Sequence, residues 1–192
     1  MTIRRFFPAL AVLATPCLAA DYSLQLTPEN TKIQWTLGGV LHTVKGKFEL
    51  TRGSIDFNTE TGTASGSVAV NLASGKSGDE ARDRRMHSDV LQSDKYPEAT
   101  FVPSRVVGTI MVPGSSVVRV IGTFTIHGAS HEIAMDVRTK AATDHLEATI
   151  TFEIPYVAWG MKDPSNFLLR VDKKVKVTIN TAGVLKGSGA AP

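Results

Sequence analysis

Residues 146–154 read Leu-Glu-Ala-Thr-Ile-Thr-Phe-Glu-Ile. Leu146, Ala148, Ile150, Phe152 and Ile154 are apolar, while Glu147, Thr149, Thr151 and Glu153 are polar. Successive side chains of a strand point to opposite faces, so this stretch is a strand with one dry and one wet face. A helix would bring apolar residues back every third or fourth position instead.

The same parity returns on both sides of this segment. Ile133, Met135 and Val137 alternate with Glu132, Asp136 and Arg138, and Val175, Val177 and Ile179 with Lys174, Lys176 and Thr178. Toward the N-terminus, Ile33, Trp35 and Leu37 oppose Lys32, Gln34 and Thr36. Val44, Phe48 and Leu50 oppose Lys45, Lys47 and Glu49. Val68, Val70 and Leu72, and then Val118, Val120, Phe124 and Ile126, extend the series. Turn residues separate the runs: Gly38-Gly39, Arg52-Gly53, Thr61-Gly62, Pro113-Gly114 and Gly128. Parity slips between Leu50 and Ile55, which predicts a bulge or tight turn near Gly53.

The expectation is an all-β fold, an extended antiparallel β-barrel of about eight to ten strands, with a sandwich as the other architecture of this pattern. A parallel sheet needs continuous apolar strands separated by helices, and those are missing. One segment breaks the alternation. Ser77-Gly78-Asp79-Glu80 has the form of a capping box with Ser77 as N-cap, which predicts a single helix near 78–91. Met86 and Val90 share one side of that helix. Pro97 returns the chain to extended conformation.

The ends and the charge narrow the function. Arg4 and Arg5, the short apolar run 6–13 and the small residues after it read as a secretory signal over 1–20. Cleavage is expected near Ala19 or Ala20. The remaining chain is expected to be one barrel domain over 21–183 with a flexible tail at 184–192. The run is too short for an integral membrane span. The whole chain of 192 residues carries +3. Without Arg4 and Arg5, 19 basic residues face 18 acidic ones, a net charge of +1. The basic pI of 9.1 therefore belongs partly to the signal, and nucleic acid is not an expected partner. Cys17, the single cysteine, leaves with the signal, so thiol catalysis, disulfides and thiolate metal sites are excluded.

Three constellations invite chemistry. Gly75-Lys76-Ser77 lacks the glycine a phosphate-binding loop needs five positions earlier, where Val70 stands. His127 and His131 flank Gly128-Ala129-Ser130 and are expected to face each other across a hairpin, two ligands of the three or four that a zinc or copper site requires. Asp83 and His87, four apart in the charged run 82–87, have the spacing of an acid–base pair. These residues define a rival reading, a periplasmic metal-dependent or hydrolytic enzyme. The plainer readings are a turn with two histidines and a helix that plugs one barrel end and bonds the rim. The aromatic residues carry more weight. Trp35, Phe48, Phe101, Phe124, Phe152 and Phe167 fall on or near the apolar parity, and Tyr156 and Trp159 stand in a loop. A barrel of about eight strands either fills its interior with side chains or holds one small ligand, and alternation does not distinguish the two.

Four segments in register resemble the YceI-like family. They are Trp35 followed by Val44-Lys45-Gly46-Lys47-Phe48, the tract ending Ala81-Arg82-Asp83, Tyr96-Pro97-Glu98-Ala99-Thr100-Phe101, and Gly122-Thr123-Phe124-Thr125-Ile126-His127-Gly128. The resemblance implies a lipocalin-like barrel in the periplasm, or secreted, that encloses a polyisoprenoid or related lipid. It implies no cofactor beyond such a bound lipid, no reaction catalysed, and a monomer or homodimer. On this reading Trp35, Leu37, Phe48, Phe101, Phe124, Ile126, Ile150, Phe152 and Phe167 grip the chain of the ligand. Tyr156 and Trp159 meet the head group together with His42, Arg82 and His127, since amphipathic rings suit a wet–dry boundary. The family often carries a short Arg-x-Asp-Phe/Tyr-Gly motif near the C-terminus. Here the stretch 155–167 is a longer, aromatic, proline-bounded loop, expected at the cavity mouth. A barrel with a filled core and a structural or partner-binding role is the third reading.

Overall fold

The alternation at 146–154 forms one strand of a closed sheet. The computed structural model describes residues 21–40, 42–166 and 170–187, and the signal expected over 1–20, like Phe167, lies outside them. Among the described residues nine strands follow one another: β1 Asp21–Leu26, β2 Thr31–Leu37, β3 Val44–Asn58, β4 Ala64–Lys76, β5 Glu98–Val107, β6 Gly114–Ile126, β7 Ala129–Ala141, β8 His145–Ile154 and β9 Val175–Gly187. Between β4 and β5 stand the helix α1, Glu80–Arg85, and a π-helical turn, Met86–Leu91.

Every neighbouring pair is antiparallel. The ring runs β2-β9-β8-β7-β6-β5-β4-β3 and closes on β2. The ninth strand, β1, continues β2 as a second half of the same stave. β1 pairs the far half of β3, from Leu26↔Gly53 to Asp21↔Asn58, and the end of β9 through Leu24↔Leu185. β2 pairs the near half of both, with Ile33 opposite Phe48 and Ile179. The turn between them is closed by Asn30, whose carboxamide accepts from Thr27 N at 2.8 Å and donates to the Gln25 carbonyl at 3.1 Å.

The stave arrangement makes the barrel long. β3 has 15 residues, about 50 Å of strand at the usual rise. Two apolar clusters divide that length. Leu24, Phe57, Val118, Val137, Leu146 and Leu185 fill the β1 half. Ile33, Trp35, Leu72, Phe124, Ile154 and Val177 belong to the β2 half. Thr31 and Thr181, both buried and opposite each other, satisfy their hydroxyls mutually at 2.9 Å.

Several local expectations change. Arg52-Gly53 is no turn, since β3 runs through it. The parity slip is a bulge with register shifts between Lys47 and Glu49 and between Leu50 and Arg52, which lets one long strand bend around a closed barrel. The helix is N-capped by Asp79, whose carboxylate accepts from Arg82 N at 2.8 Å, and not by Ser77. Ser77 instead donates its N–H to Asp83 at 2.8 Å, and its hydroxyl to the same carboxylate. The helix expected over 78–91 is α-helical only through Arg85 and then widens into the π turn. β9 continues past 183 to Gly187 and buries Leu185 among Leu24, Val137 and Leu146.

Candidate functional site

A cavity of about 430 Å³ opens in the β2 half, within the ~300–1,000 Å³ common for ligand pockets. Its wall is built by inward positions of seven strands. β2 supplies Ile33, Trp35 and Leu37, β3 Val44 and Phe48, β6 Phe124 and Ile126, β8 Phe152 and Ile154, and β9 Val177 and Ile179. Phe124 sets the packing of one side, with its ring 6.0 Å from Phe152, edge-on, and 6.0 Å from Trp159. Trp35 lies 6.4 Å from Phe48 on the other side.

The helical segment forms part of the wall. Met86 and Val90, one turn apart in sequence, both line the cavity, and Leu91 joins them. The segment is tied down at several points. Arg82 donates from Nε to the Ser77 hydroxyl at 2.7 Å and from Nη2 to the Ser77 carbonyl at 3.3 Å. His87 donates through Nε2 to the Gly75 carbonyl at 2.9 Å, since a carbonyl only accepts. Asp83 and His87 therefore serve different partners and form no acid–base pair. Asp89 meets Lys162 at 3.1 Å, which ties the helical segment to the β8–β9 connection. The hydrogen bond from Lys162 holds the Asp89 carboxyl below its usual range.

The long β8–β9 connection and the β2–β3 connection are stitched together. Gly39 bridges Val171, Val40 N donates to the Arg170 carbonyl at 3.2 Å, and Asp172 N donates to the Gly38 carbonyl at 2.8 Å. Tyr156 completes the seam by donating its hydroxyl to the Asp172 carbonyl at 2.8 Å. Tyr156 is 5% exposed, and burial pushes its phenol up to about 12, with Asp163 and Asp172 adding to the effect. The neutral form is thus favoured in the folded protein. The stabilisation is fully present below the ordinary tyrosine value of about 10 and is lost as pH rises from there through about 12. Melting temperatures measured across pH 9–12 should fall more steeply for the wild type than for Tyr156→Phe. Parallel curves would remove this residue as a cause of alkaline unfolding.

Exposed lining residues mark the mouth: Val40, His42, Arg85, Asn166 and Arg170. Of the residues singled out in the sequence, Trp35, Leu37, Phe48, Phe124, Ile126, Phe152 and Tyr156 line the cavity, as do His42 and Arg82. Others do not. Ile150 faces inward but packs with Val118 and Val137 in the filled half. Phe101 belongs to the packed surroundings, its ring laid across Gly122. Trp159 stacks on His131 with ring centroids 3.9 Å apart and planes 6° apart, so it covers the end of β7 where pairing with β8 has stopped at Asp136↔Thr151. His127 sits in the two-residue turn with Gly128, both at positive φ, and its ring rests 4.6 Å from Tyr96.

His127 and His131 are therefore not face to face. One occupies the turn and the other pairs with Phe124 across the hairpin, each against a different aromatic ring. Among the described residues no group of three or more His, Cys, Asp or Glu is placed to hold a metal ion. Arg170, Val171 and Met161 line the cavity without having been singled out, and Arg85, from the charged run 82–87, lines it as well. Among the described residues no helix is long and apolar enough to cross a membrane.

A family model described as YceI-like domain matches residues 24–182. Solved structures share the fold. BcnA from Burkholderia cenocepacia is 18% identical, with a TM-score of 0.67, covering 80% of this chain and 96% of its own. A domain from Saccharophagus degradans, described as polyisoprenoid-binding and implicated in plant cell wall breakdown, is 15% identical with a TM-score of 0.64 and covers 88% and 99%. The Campylobacter jejuni YCEI protein is 19% identical with a TM-score of 0.61, covering 73% and 84%. No curated protein matches.

Proposed function

This chain belongs to the YceI-like family, and on that premise we propose that it is an exported protein that holds one long apolar or amphipathic lipid, of the polyisoprenoid class, inside its barrel. It carries, stores or shields that lipid and catalyses no reaction on it. The cavity is the observation that carries the reading. It is walled by aliphatic and aromatic side chains from seven strands and the helical segment, and the second apolar cluster occupies the other half of the barrel. The polyisoprenoid-binding description of the Saccharophagus degradans domain supports the ligand class. The apolar stretch at 6–13 behind Arg4 and Arg5 supports export to the periplasm or beyond.

Burial of apolar surface favours such a ligand by about 0.8 kcal/mol per CH₂, roughly fourfold in affinity for each one. A chain can thus be bound tightly with few polar contacts, and shielding it from water is useful in an aqueous compartment. The test is native mass spectrometry on protein purified without detergent from its own source, followed by solvent extraction. The expected spectrum shows one added mass of a few hundred daltons or more that extracts into organic solvent. A bare polypeptide that also takes up no added geranylgeraniol would refute the reading.

A further inference from the structure

The charge of the cavity lining is one-sided. Among the described residues, its ionised lining residues are Arg82, Arg85 and Arg170, with His42 beside them, and no aspartate, glutamate or lysine lines it. This is not the background of the chain, in which 19 basic residues face 18 acidic ones once the first twenty are removed. The three arginines come from two elements, α1 and the β8–β9 connection, and His42 from a third. Gly39↔Val171 holds two of those elements together.

The arginines are not equivalent. Arg82 is half-buried and committed to Ser77. Arg85 and Arg170 are exposed, and among the described residues neither guanidinium has an ion pair. Three of the acids in these segments are engaged elsewhere, while the Asp172 carboxylate, two residues from Arg170, lies against Gly38 of the β2–β3 connection. Asp83 is bound by Ser77, Asp163 accepts from Ser165 N at 2.9 Å, and Asp89, which feels the Arg85 charge, is closed by Lys162 and Ser88. Among the described residues, two uncommitted guanidinium forks thus stand at the mouth of an apolar cavity wall.

Resting on the lipid reading of the cavity, we infer that the ligand is an amphiphile with an anionic head, phosphate or carboxylate, held at the mouth by Arg85 and Arg170. A guanidinium matches such a head by two parallel N–H···O bonds. Both arginines are in solvent, so the discrimination is modest and falls as salt screens it. The apolar chain supplies the bulk of the affinity. The arginines set which chains are accepted, and they orient the head outward.

The experiment compares geranylgeranyl monophosphate with geranylgeraniol, which share one chain and differ only in the head. Binding is followed by tryptophan fluorescence in wild type and in an Arg85→Ala/Arg170→Ala variant whose melting temperature matches the wild type. Wild type should bind the phosphate about tenfold more tightly at low salt, with the gap closing as salt is raised. The double variant should bind both probes equally. Equal affinities in the wild type, or a gap preserved in the variant, would overturn the assignment of the mouth. Inorganic phosphate identifies the source of the anion. Failure to displace the prenyl phosphate supports a lipid head, whereas displacement at comparable concentration overturns it in favour of a free anion. If wild type takes up the alcohol but shows no preference, only the head-group assignment falls. If it takes up neither probe, the lipid cavity itself falls.

Discussion

Phe124→Asp should yield protein that either fails to fold or folds without lipid. Phe124 is 7% exposed, lines the cavity, and is wedged between Phe152 and Trp159. Removing a buried phenylalanine side chain ordinarily costs about 3–5 kcal/mol, and a carboxylate stranded in an apolar wall adds a desolvation penalty. Together these approach the ~5–15 kcal/mol that hold a whole domain folded. Phe124→Leu separates the two outcomes, because it keeps the wall apolar and should fold with reduced lipid retention. A paired change in the filled half gives the contrast. Leu146 is 3% exposed and far along β8 from Phe152, so Leu146→Ala should lose about 2–5 kcal/mol of stability and keep its full lipid content. Chemical denaturation and mass spectrometry of the extracted lipid read both quantities. A folded Phe124→Asp protein with wild-type lipid content would show that Phe124 does not border the ligand.

The contrast between the two halves was not legible in the alternation. Leu146, Ile150 and Phe152 all lie on the dry face of β8, yet Ile150 packs in the filled half and Phe152 lines the cavity. Parity reports the face of a strand and carries nothing about position along the barrel axis. That position depends on which staves are opposite, and so on β1 and β2 sharing one stave, which a local pattern does not encode. β1 itself was too short to announce its parity. The upper half of β3 was hidden because the bulge reversed its phase between Leu50 and Arg52. The helical segment was legible in existence and in its Met86–Val90 face, since both residues do line the cavity. Its capping was misread because Ser77 and Asp79 both stand near the N-terminus and only geometry decides which side chain reaches the open N–H groups. The histidines show the same limit. His131 and Trp159 are 28 positions apart in the chain, and their stack is made by a loop lying over the uncovered end of β7. Arg170 carries no local pattern at all and reaches the mouth only because Gly39 bridges Val171.

Gly46→Ala should be destabilising, against the sign that local propensity alone would give it. Gly46 lies on β3 directly opposite Trp35 of β2, at an inward position between Val44 and Phe48. Its backbone is not in the left-handed region, so alanine fits the conformation, and restricting the unfolded chain would ordinarily stabilise by about 0.4–1 kcal/mol. Space decides otherwise. A Cβ there would run into Cζ2 and Cε2 of the Trp35 indole and stand 2.5 Å from the Lys76 carbonyl oxygen. The indole is laid across the glycine, and packing alone holds it, since Trp35 Nε1 is buried without a hydrogen-bond partner among the described residues. The carbonyl belongs to β4, paired there through Lys47↔Lys76, so it cannot retreat without opening the ladder. The expected cost is about 1–3 kcal/mol, as for other overpacked cores, or roughly 2–4 °C in Tm for each kcal/mol in a chain of this size. Lipid retention should fall with it, because a displaced indole enters the cavity that Trp35 lines. A double-mutant cycle assigns the cause. Trp35→Leu in the Gly46→Ala background should recover part of the loss, giving a coupling of about 1 kcal/mol or more between the two positions. The part that does not return is the collision with the Lys76 carbonyl. If the two changes add within about 0.5 kcal/mol, or if Gly46→Ala is stabilising, the indole does not rest on the glycine and this wall of the cavity is built differently.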